Sequence, residues 1–178
     1  MKLSDESIVK ALTGAGVPKR YRHKERKLRD ATPYGPPLLD MIETGGLAKD
    51  LAGGGVLELI GHEAETTDAF YLGVRSLILK RCPIHTINAL RFIDADEEWR
   101  AGLFDHRVLA IEGLTPTCGG DDPFGAHRSA IEWQLIHWLN GDRGLVILSD
   151  VEIAGDERWS QRFRRILNTR KVRFDVSR

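Results

Sequence analysis

The sequence predicts an α/β fold built on a mostly parallel β-sheet, because short apolar runs alternate with segments of helical periodicity after residue 55. The first run, Val56–Gly61, is largely apolar, as expected of a strand buried on both faces, and it stops at a glycine. Strands that alternate with helices imply right-handed crossovers, so helices are expected on both faces of the sheet. A three-layer sandwich with five parallel strands is therefore expected.

The elements follow in order along the chain, and Ser4 is a suitable N-cap for the first helix. Residues 1–15 are expected to form only this short helix, and residues 16–178 a single domain. Trp133 and Trp138 are expected in the core, while Trp99 and Trp159 are open to either a core or an interface role. The predicted helices are residues 4–13, Leu38–Ile42, Thr66–Arg81, Asp96–Leu103, His127–Asn140 and Asp156–Leu167. The predicted strands are Val56–Gly61, His85–Ile93, Arg107–Glu112, Gly144–Leu148 and Val172–Val176.

The composition is that of an ordinary globular protein, with 42% apolar and 29% charged residues and a net charge of zero. Two cysteines make no disulfide framework, and no apolar run is long enough for a membrane span, so a cytoplasmic protein is expected. Basic charge is nevertheless concentrated. Residues 19–29 contain seven basic side chains and one acid, and residues 158–178 contain eight and one. This clustering predicts a local basic face.

The turn after the first strand is where such a fold binds nucleotide phosphates. A working P-loop has the pattern Gly-x-x-x-x-Gly-Lys-Ser/Thr, in which the lysine contacts the β- and γ-phosphates and the hydroxyl binds magnesium. Gly61 keeps the first position, but Thr66, Thr67 and Asp68 replace the second glycine, the lysine and the hydroxyl residue. Because the turn loses its cation and gains carboxylates, the binding of ATP and magnesium is expected to be lost, and no cofactor is predicted.

The end of the third strand supports the same expectation. Nucleotide hydrolases of this type have an acid for magnesium there, often followed by a catalytic acid, but Glu112 is followed by Gly113 and Leu114. Glu112 by itself is also compatible with an ordinary residue at the edge of the sheet. No catalytic residue is predicted, and the protein is expected not to be an enzyme. Nor is a metal site predicted, because the cysteine, histidine and aspartate residues between 118 and 127 fit no established zinc pattern.

Six segments follow one another in order along the chain: Gly16–Arg22, Val56–Gly61 with its degenerate turn, Leu109–Leu114, Leu145–Asp150, Arg162–Leu167 and Val172–Arg178. This ordered series resembles the DnaC/IstB/DnaI family of helicase-loader ATPases, which are AAA+ proteins with the RecA-like P-loop NTPase fold. In the same order, the resemblance makes these segments the entry segment, the first strand with its P-loop turn, the Walker B strand, the sensor strand, the segment with the arginine finger and the final strand. Asp150 stands where this family usually has asparagine at the end of its sensor strand.

The resemblance implies a strand order of 5-1-4-3-2. It also implies a replication role, because members of the family bind the replicative helicase and single-stranded DNA or act as transposition helpers. Three departures matter: the P-loop is degenerate, the second Walker B acid is absent, and only about fifteen residues precede the domain. The first two argue against ATP hydrolysis, and the third weakens the case for helicase docking.

The two basic clusters contain the candidate contact residues. Lys19, Arg20, Arg22 and Lys24 are candidates for contact with the phosphates of single-stranded DNA, with a solvated segment as the alternative. In the second cluster, Arg162, Arg164 and Arg165 are candidates for an arginine finger that acts on a neighbouring subunit, or for DNA contact; the alternative is a solvated helix face. Self-association remains open, and no membrane contact is expected.

The sequence thus predicts a non-hydrolysing, helicase-loader-like replication accessory protein. Its expected partners are a replicative helicase or an AAA+ neighbour, and single-stranded DNA. One alternative is an enzyme or ligand-binding protein that uses the same edge of the sheet for a different ligand, where the acidic turn would favour a cation. Another is an inhibitor module of a host AAA+ ATPase. An edge closed by side chains favours the accessory protein, whereas an open cleft with converging carboxylates favours the enzyme.

Overall fold

The computed structural model of the protein describes residues 4–23, 25–61, 63–94, 97–103, 105–115 and 126–172. Within these ranges the sheet has four strands in the order β1-β4-β3-β2, and every neighbouring pair is parallel. The order of these four strands agrees with the predicted one. The strands are β1 (Val56–Ile60), β2 (Ile84–Asn88), β3 (Val108–Glu112) and β4 (Gly144–Ser149).

The described sheet has four strands rather than the five predicted. Lys171 forms an isolated parallel bridge with Val56, and the Val172 N–H donates to the Val56 carbonyl oxygen at 2.7 Å. This bridge lies at the outer edge of β1, where the fifth strand was expected. The rest of that expected strand, residues 173–176, lies outside the described residues.

Helices cover both faces of the sheet, and the strand side chains divide between them by simple alternation. In β3, for example, Val108 and Ala110 pack into one core with α4, whereas Leu109 and Ile111 pack into the other with α7. Helices α1 to α4 contribute to the first core, and α5 to α8 to the second. The helices are α1 (Asp5–Gly14), α2 (Gly35–Glu43), α3 (Gly46–Ala52), α4 (Ala64–Leu79), α5 (Ala89–Asp94), α6 (Glu97–Leu103), α7 (Ala126–Asn140) and α8 (Gln161–Arg170).

Short 3-10 turns at Lys19–Tyr21, Leu28–Asp30 and Ile153–Gly155 complete the described elements. Ser4 caps α1 as predicted, since its hydroxyl accepts the Ser7 N–H at 3.2 Å. Helix α1 packs against the rest of the molecule, because its Leu12 is fully buried in the core that also contains α4. None of the helices in the described ranges is long and apolar enough to cross a bilayer.

Two predicted boundaries are wrong for local reasons, and one short helix has no predicted counterpart. The second strand ends at Asn88 instead of Ile93, because the Asn88 side chain accepts the Leu90 N–H at 2.9 Å and α5 begins there. The last helix begins at Gln161 rather than Asp156, because Ser160 caps it by accepting the Phe163 N–H. Helix α3 was not predicted; Gly45, at a φ of 75°, turns the chain between α2 and α3.

The tryptophans also divide differently from expectation. Trp138 is buried as predicted, but Trp133 is 69% exposed because it points away from the sheet on the outer face of α7. Trp159, which was left open, is buried against Phe163 with ring centroids 5.4 Å apart. Trp99 is 40% exposed and contacts His85.

Candidate functional site

The turn that follows β1 is packed against its own helix. Gly61 has a φ of 147° and donates its N–H to the Ser149 carbonyl oxygen at 2.8 Å, which ties the turn to β4. The Thr66 side chain is buried against Gly61, so closely that a β-carbon at position 61 would lie 2.7 Å from the Thr66 hydroxyl oxygen. The Thr67 hydroxyl donates to the Glu63 carbonyl oxygen at 3.3 Å. Both threonine side chains thus contact the turn itself.

Asp68, at the position of the magnesium hydroxyl in a P-loop, accepts two hydrogen bonds from the segment that contains residues 19–29. Its Oδ1 accepts the Tyr21 hydroxyl at 2.7 Å, and its Oδ2 accepts an Arg26 guanidinium N–H at 2.7 Å. Tyr21 is fully buried, so Asp68 is the acceptor for a hydroxyl in the interior, while the ion pair with Arg26 is open to solvent.

Glu112, at the end of β3, has an equivalent arrangement. Its Oε2 accepts the Tyr71 hydroxyl at 2.7 Å. The rings of Tyr21 and Tyr71 are stacked, with centroids 4.8 Å apart and an interplanar angle of 18°. Asp68 and Glu112 therefore each have a tyrosine donor, and the two tyrosines contact each other. We call these four residues, Tyr21, Asp68, Tyr71 and Glu112, the rim cluster.

The protonation of the rim cluster follows from its burial. Burial, reinforced by the hydrogen bond to Asp68, raises the pKa of Tyr21 to about 12. Burial and the hydrogen bond to Glu112 likewise raise the pKa of Tyr71 well above its ordinary value. Both hydroxyls therefore keep their protons at neutral pH and donate to the carboxylates. The Arg20 guanidinium lies over the Tyr21 ring, 4.7 Å from its centroid.

The residues at the ends of β3 and β4, Gly113 and Asp150, do not belong to the rim cluster. Gly113 has a φ of 71°, and its N–H donates to the Leu148 carbonyl oxygen at 2.9 Å, which directs the chain away after Glu112. Asp150 is exposed just beyond β4. Its charge and that of Asp156 act on Arg158, whose pKa is raised mainly by the hydrogen bond to Asp156. No bond between Asp150 and the rim cluster is present among the described residues.

The first basic cluster is held against α4 by hydrogen bonds. Arg75, on α4, donates to the carbonyl oxygens of His23, Arg26 and Tyr21, at 2.6, 3.2 and 3.4 Å. The Arg22 guanidinium donates to the Val17 carbonyl oxygen at 2.7 Å. This bond gives Arg22 a structural role.

Other members of the first cluster are accessible. Lys19 and Arg20 are exposed, and Lys24 lies outside the described residues. Exposed cations on an ordered backbone can contact the phosphates of a polyanion without first being fixed in place.

The first basic cluster and the arginines of α8 do not form the single basic face that was expected. Tyr21 and Leu28 anchor the first cluster in the core on the α4 side of the sheet, whereas Phe163 and Leu167 anchor α8 in the core on the α7 side. On α8, Arg162 and Arg165 are exposed and Arg164 is half-buried. The sheet therefore separates the first cluster from the arginines of α8, because the apolar residues that anchor them belong to different cores.

Sequence reasoning missed Tyr71 and Arg75. Together with Asp68 they occupy positions i, i+3 and i+7 of α4, so helical periodicity alone places all three on one face. Of the residues between 118 and 127 that were considered as zinc ligands, Cys118, Asp121 and Asp122 lie outside the described residues. Among the described residues, no group of three or more potential metal ligands is present.

The described chain is a three-layer α/β fold, in which a parallel sheet of order 1-4-3-2 lies between two helical layers and a strand–turn–helix unit stands at the P-loop position. No family model matches the chain, and no curated protein matches its sequence. Solved structures do match. The replication initiator DnaA bound to AMPPCP and single-stranded DNA has a TM-score of 0.62 and 11% identity, over 89% of this chain and 51% of that one.

Two further solved structures match the fold of this chain. Domain III of the Thermotoga maritima replication initiation protein DnaA has a TM-score of 0.60 at 14% identity, over 88% of this chain and 68% of that one. A DNA replication initiation factor has a TM-score of 0.61 at 10% identity, over 86% of this chain and 50% of that one. The chain thus spans about half the length of the first of these proteins. At such identities the similarity establishes the fold, and the narrower resemblance to helicase loaders stays a prediction.

Proposed function

We propose that this protein is a non-hydrolysing, helicase-loader-like replication accessory protein that uses an AAA+ type fold as a binding platform. The observation that carries the proposal is the rim cluster. At the edge where P-loop proteins hold magnesium and phosphate, Asp68 and Glu112 are bonded to Tyr21 and Tyr71 of the same chain. A rim closed by its own side chains favours a platform over an enzyme with an open cleft.

The chemistry of the turn supports the loss of nucleotide binding. No lysine stands at position 67, and Glu63, Glu65 and Asp68 lie in or next to the turn. A pair of like charges about 4 Å apart costs roughly 4 kcal/mol at an effective dielectric constant of 20. A triphosphate in the usual position would meet this repulsion without the compensating cation. The residues present do not fit magnesium-bound ATP.

Calorimetry with Mg-ATP tests this part of the proposal. We expect no binding tighter than about 1 mM, a free energy of roughly −4 kcal/mol, and no turnover. The triple variant Thr66→Gly, Thr67→Lys, Asp68→Thr restores the P-loop pattern and serves as the matched comparison. Micromolar binding by the unaltered protein, or turnover that Glu112→Gln abolishes, would show that the site is a working ATPase.

Single-stranded DNA is the proposed nucleic-acid ligand of the first basic cluster. The DnaA structure with the same fold contains single-stranded DNA, and Lys19 and Arg20 are exposed here. Fluorescence anisotropy with an oligonucleotide between 50 and 200 mM salt measures the contacts, because each contributes about −0.7 to the log–log slope. Four contacts, through Lys19, Arg20, Arg22 and Lys24, imply a slope of about −3. Alanine at all four should flatten it, and no binding at 50 mM would refute this role.

The protein partner is proposed to be a replicative helicase or an active AAA+ neighbour. Trp133 supports a protein contact, because a large exposed aromatic side chain on an otherwise ordered helix is typical of interfaces. A pull-down from the native host, with Trp133→Ser as the comparison, tests it. The proposal is supported if the unaltered protein recovers a helicase or an AAA+ protein and the Trp133→Ser variant does not. It is contradicted if neither protein recovers such a partner.

A further inference from the structure

The surface of α8 contains a depression of about 470 Å³ that the proposed function does not use. Five of its lining residues come from one face of the helix, at positions i, i+3, i+4, i+7 and i+8. Every polar side chain among them can donate a hydrogen bond, and none is acidic. Such a lining favours an anion. The lining residues are Ala154, Gln161, Arg164, Arg165, Asn168 and Thr169.

Arg164 is the most informative of these residues. Its Nε is buried and has no hydrogen-bond partner within the part of the chain that the structure describes. Neither Arg164 nor Arg165 forms an ion pair there, whereas Arg158 is paired with Asp156 at 2.7 Å and Arg170 with Asp142 at 3.3 Å. A buried donor without an acceptor is unfavourable and calls for an explanation, and a ligand oxygen would supply the missing acceptor.

We propose that the α8 depression is a phosphate-binding site, and that its ligand is the phosphodiester backbone of single-stranded nucleic acid. Guanidinium groups bind phosphate oxygens in a paired geometry, and amide side chains donate to phosphate and sugar oxygens. The lining runs from residue 161 to residue 169, about 12 Å along the helix at 1.5 Å per residue, which suits a chain of phosphates better than a single one.

The proposed ligand class rests on the proposed function, but the site is separate from the first basic cluster. Phe163 and Leu167 place α8 on the α7 side of the sheet, opposite the core that anchors residues 19–29. The lining contains no aromatic side chain, so bases have no stacking surface in the depression. Binding there is therefore expected to depend on salt and not on sequence.

Arg165 and Arg162 provide a matched pair of variants. Both are exposed arginines on α8, but only Arg165 lines the depression. Replacing either with glutamine removes one positive charge, so a general electrostatic attraction would weaken equally in both variants. We expect Arg165→Gln to weaken binding of an oligodeoxythymidylate by about tenfold at 50 mM salt and to reduce the salt slope by about 0.7. Arg162→Gln is expected to change the affinity by less than about twofold.

Arg164→Met supplies a second test, because it keeps the packing of the side-chain stem and removes the unsatisfied donor. We expect the oligonucleotide affinity to fall while the melting temperature stays the same or rises. A merely structural arginine would show the reverse, with a lower melting temperature and unchanged affinity. If both quantities fall, the comparison of Arg165 with Arg162 decides, since neither exposed substitution disturbs the core.

Binding is measured with two ligands, tripolyphosphate and the oligonucleotide, in order to distinguish a free polyphosphate from a nucleic-acid backbone. Tripolyphosphate that binds in an Arg165-dependent manner, without oligonucleotide binding, would identify a free polyphosphate as the ligand and overturn the nucleic-acid assignment. Equal effects of Arg165→Gln and Arg162→Gln on both probes would overturn the site itself. Replacing Lys19 and Arg20 with alanine tests DNA binding by the first basic cluster separately. A negative result there would contradict the proposed role of that cluster without affecting the α8 site.

Discussion

The bond between Tyr21 and Asp68 permits a quantitative test of the rim cluster. Asp68→Ala removes the acceptor of a fully buried tyrosine hydroxyl and one partner of an ion pair whose arginine side chain is 52% exposed. An unsatisfied buried hydroxyl costs about 1–3 kcal/mol, and an exposed ion pair contributes at most about 1 kcal/mol. We therefore expect Asp68→Ala to lower the free energy of unfolding by about 2–3 kcal/mol.

The single variants of the two donors separate these contributions. Arg26→Ala should cost less than about 1 kcal/mol, because its ion pair with Asp68 is exposed to solvent. Tyr21→Phe should cost about 1–1.5 kcal/mol, since Asp68 keeps Arg26 and solvent as partners. In the double variant Tyr21→Phe, Asp68→Ala no hydroxyl is left unsatisfied. Its cost should therefore be about 1–2 kcal/mol smaller than the sum of the two single costs.

Urea denaturation at neutral pH measures all four free energies, and unchanged m-values would show that each variant still unfolds in the same manner. Costs of Tyr21→Phe and Asp68→Ala that add to within about 0.3 kcal/mol would refute the reasoning, because residues that share no interaction are additive. A cost of Arg26→Ala equal to that of Asp68→Ala would also contradict it, since the exposed ion pair would then carry the stabilisation.

Three further predictions concern the same edge of the sheet and α7. Because burial and then the bond to Asp68 raise the pKa of Tyr21 to about 12, the protonated tyrosine stabilises the fold fully below pH 10, and this contribution is lost as the pH rises through about 12. Absorbance titration should show that Tyr21 and Tyr71 ionise late, and Tyr21→Phe should remove only the contribution of Tyr21. Gly61→Ala should lower the free energy of unfolding by about 1–3 kcal/mol, because its φ of 147° and the nearby Thr66 hydroxyl exclude a β-carbon; Thr66→Gly should relieve only the steric part, and an unchanged denaturation midpoint would contradict this. Trp133→Gln should change stability by less than about 0.5 kcal/mol, whereas Trp159→Ala should cost about 3–5 kcal/mol; equal costs in urea denaturation would show that exposure does not distinguish them.

The fold class was predictable because strands and helices are local patterns. The apolar run after Gly55 and the helical periodicity after Gly61 indicated a strand–turn–helix unit, and the structure contains β1 and α4 there. Parallel pairing then follows from the alternation of strands and helices, which requires crossovers. The altered positions Thr66, Thr67 and Asp68 were visible for the same reason, since the P-loop pattern is contained in eight consecutive residues.

Element ends were less predictable, because competing local bonds and tertiary packing decide them. The apolar residues up to Ile93 suit a longer second strand, but the Asn88 side chain bonds to the Leu90 N–H and starts a helix. The sequence of α7 is apolar enough for burial on several sides. Only the position of that helix in an outer layer leaves Trp133 exposed and Trp138 buried.

The layered parallel α/β fold and the absence of a P-loop lysine in the first turn follow from local sequence patterns. What the substituted residues contact depends on tertiary packing. Tyr21 and Asp68 are 47 residues apart, and Tyr71 and Glu112 are 41 apart, so no local pattern pairs them. Tertiary packing also decided that the first basic cluster and the arginines of α8 lie on opposite sides of the sheet. Charge clustering is a property of the chain, but the face on which a cluster lies depends on the core that its apolar neighbours enter.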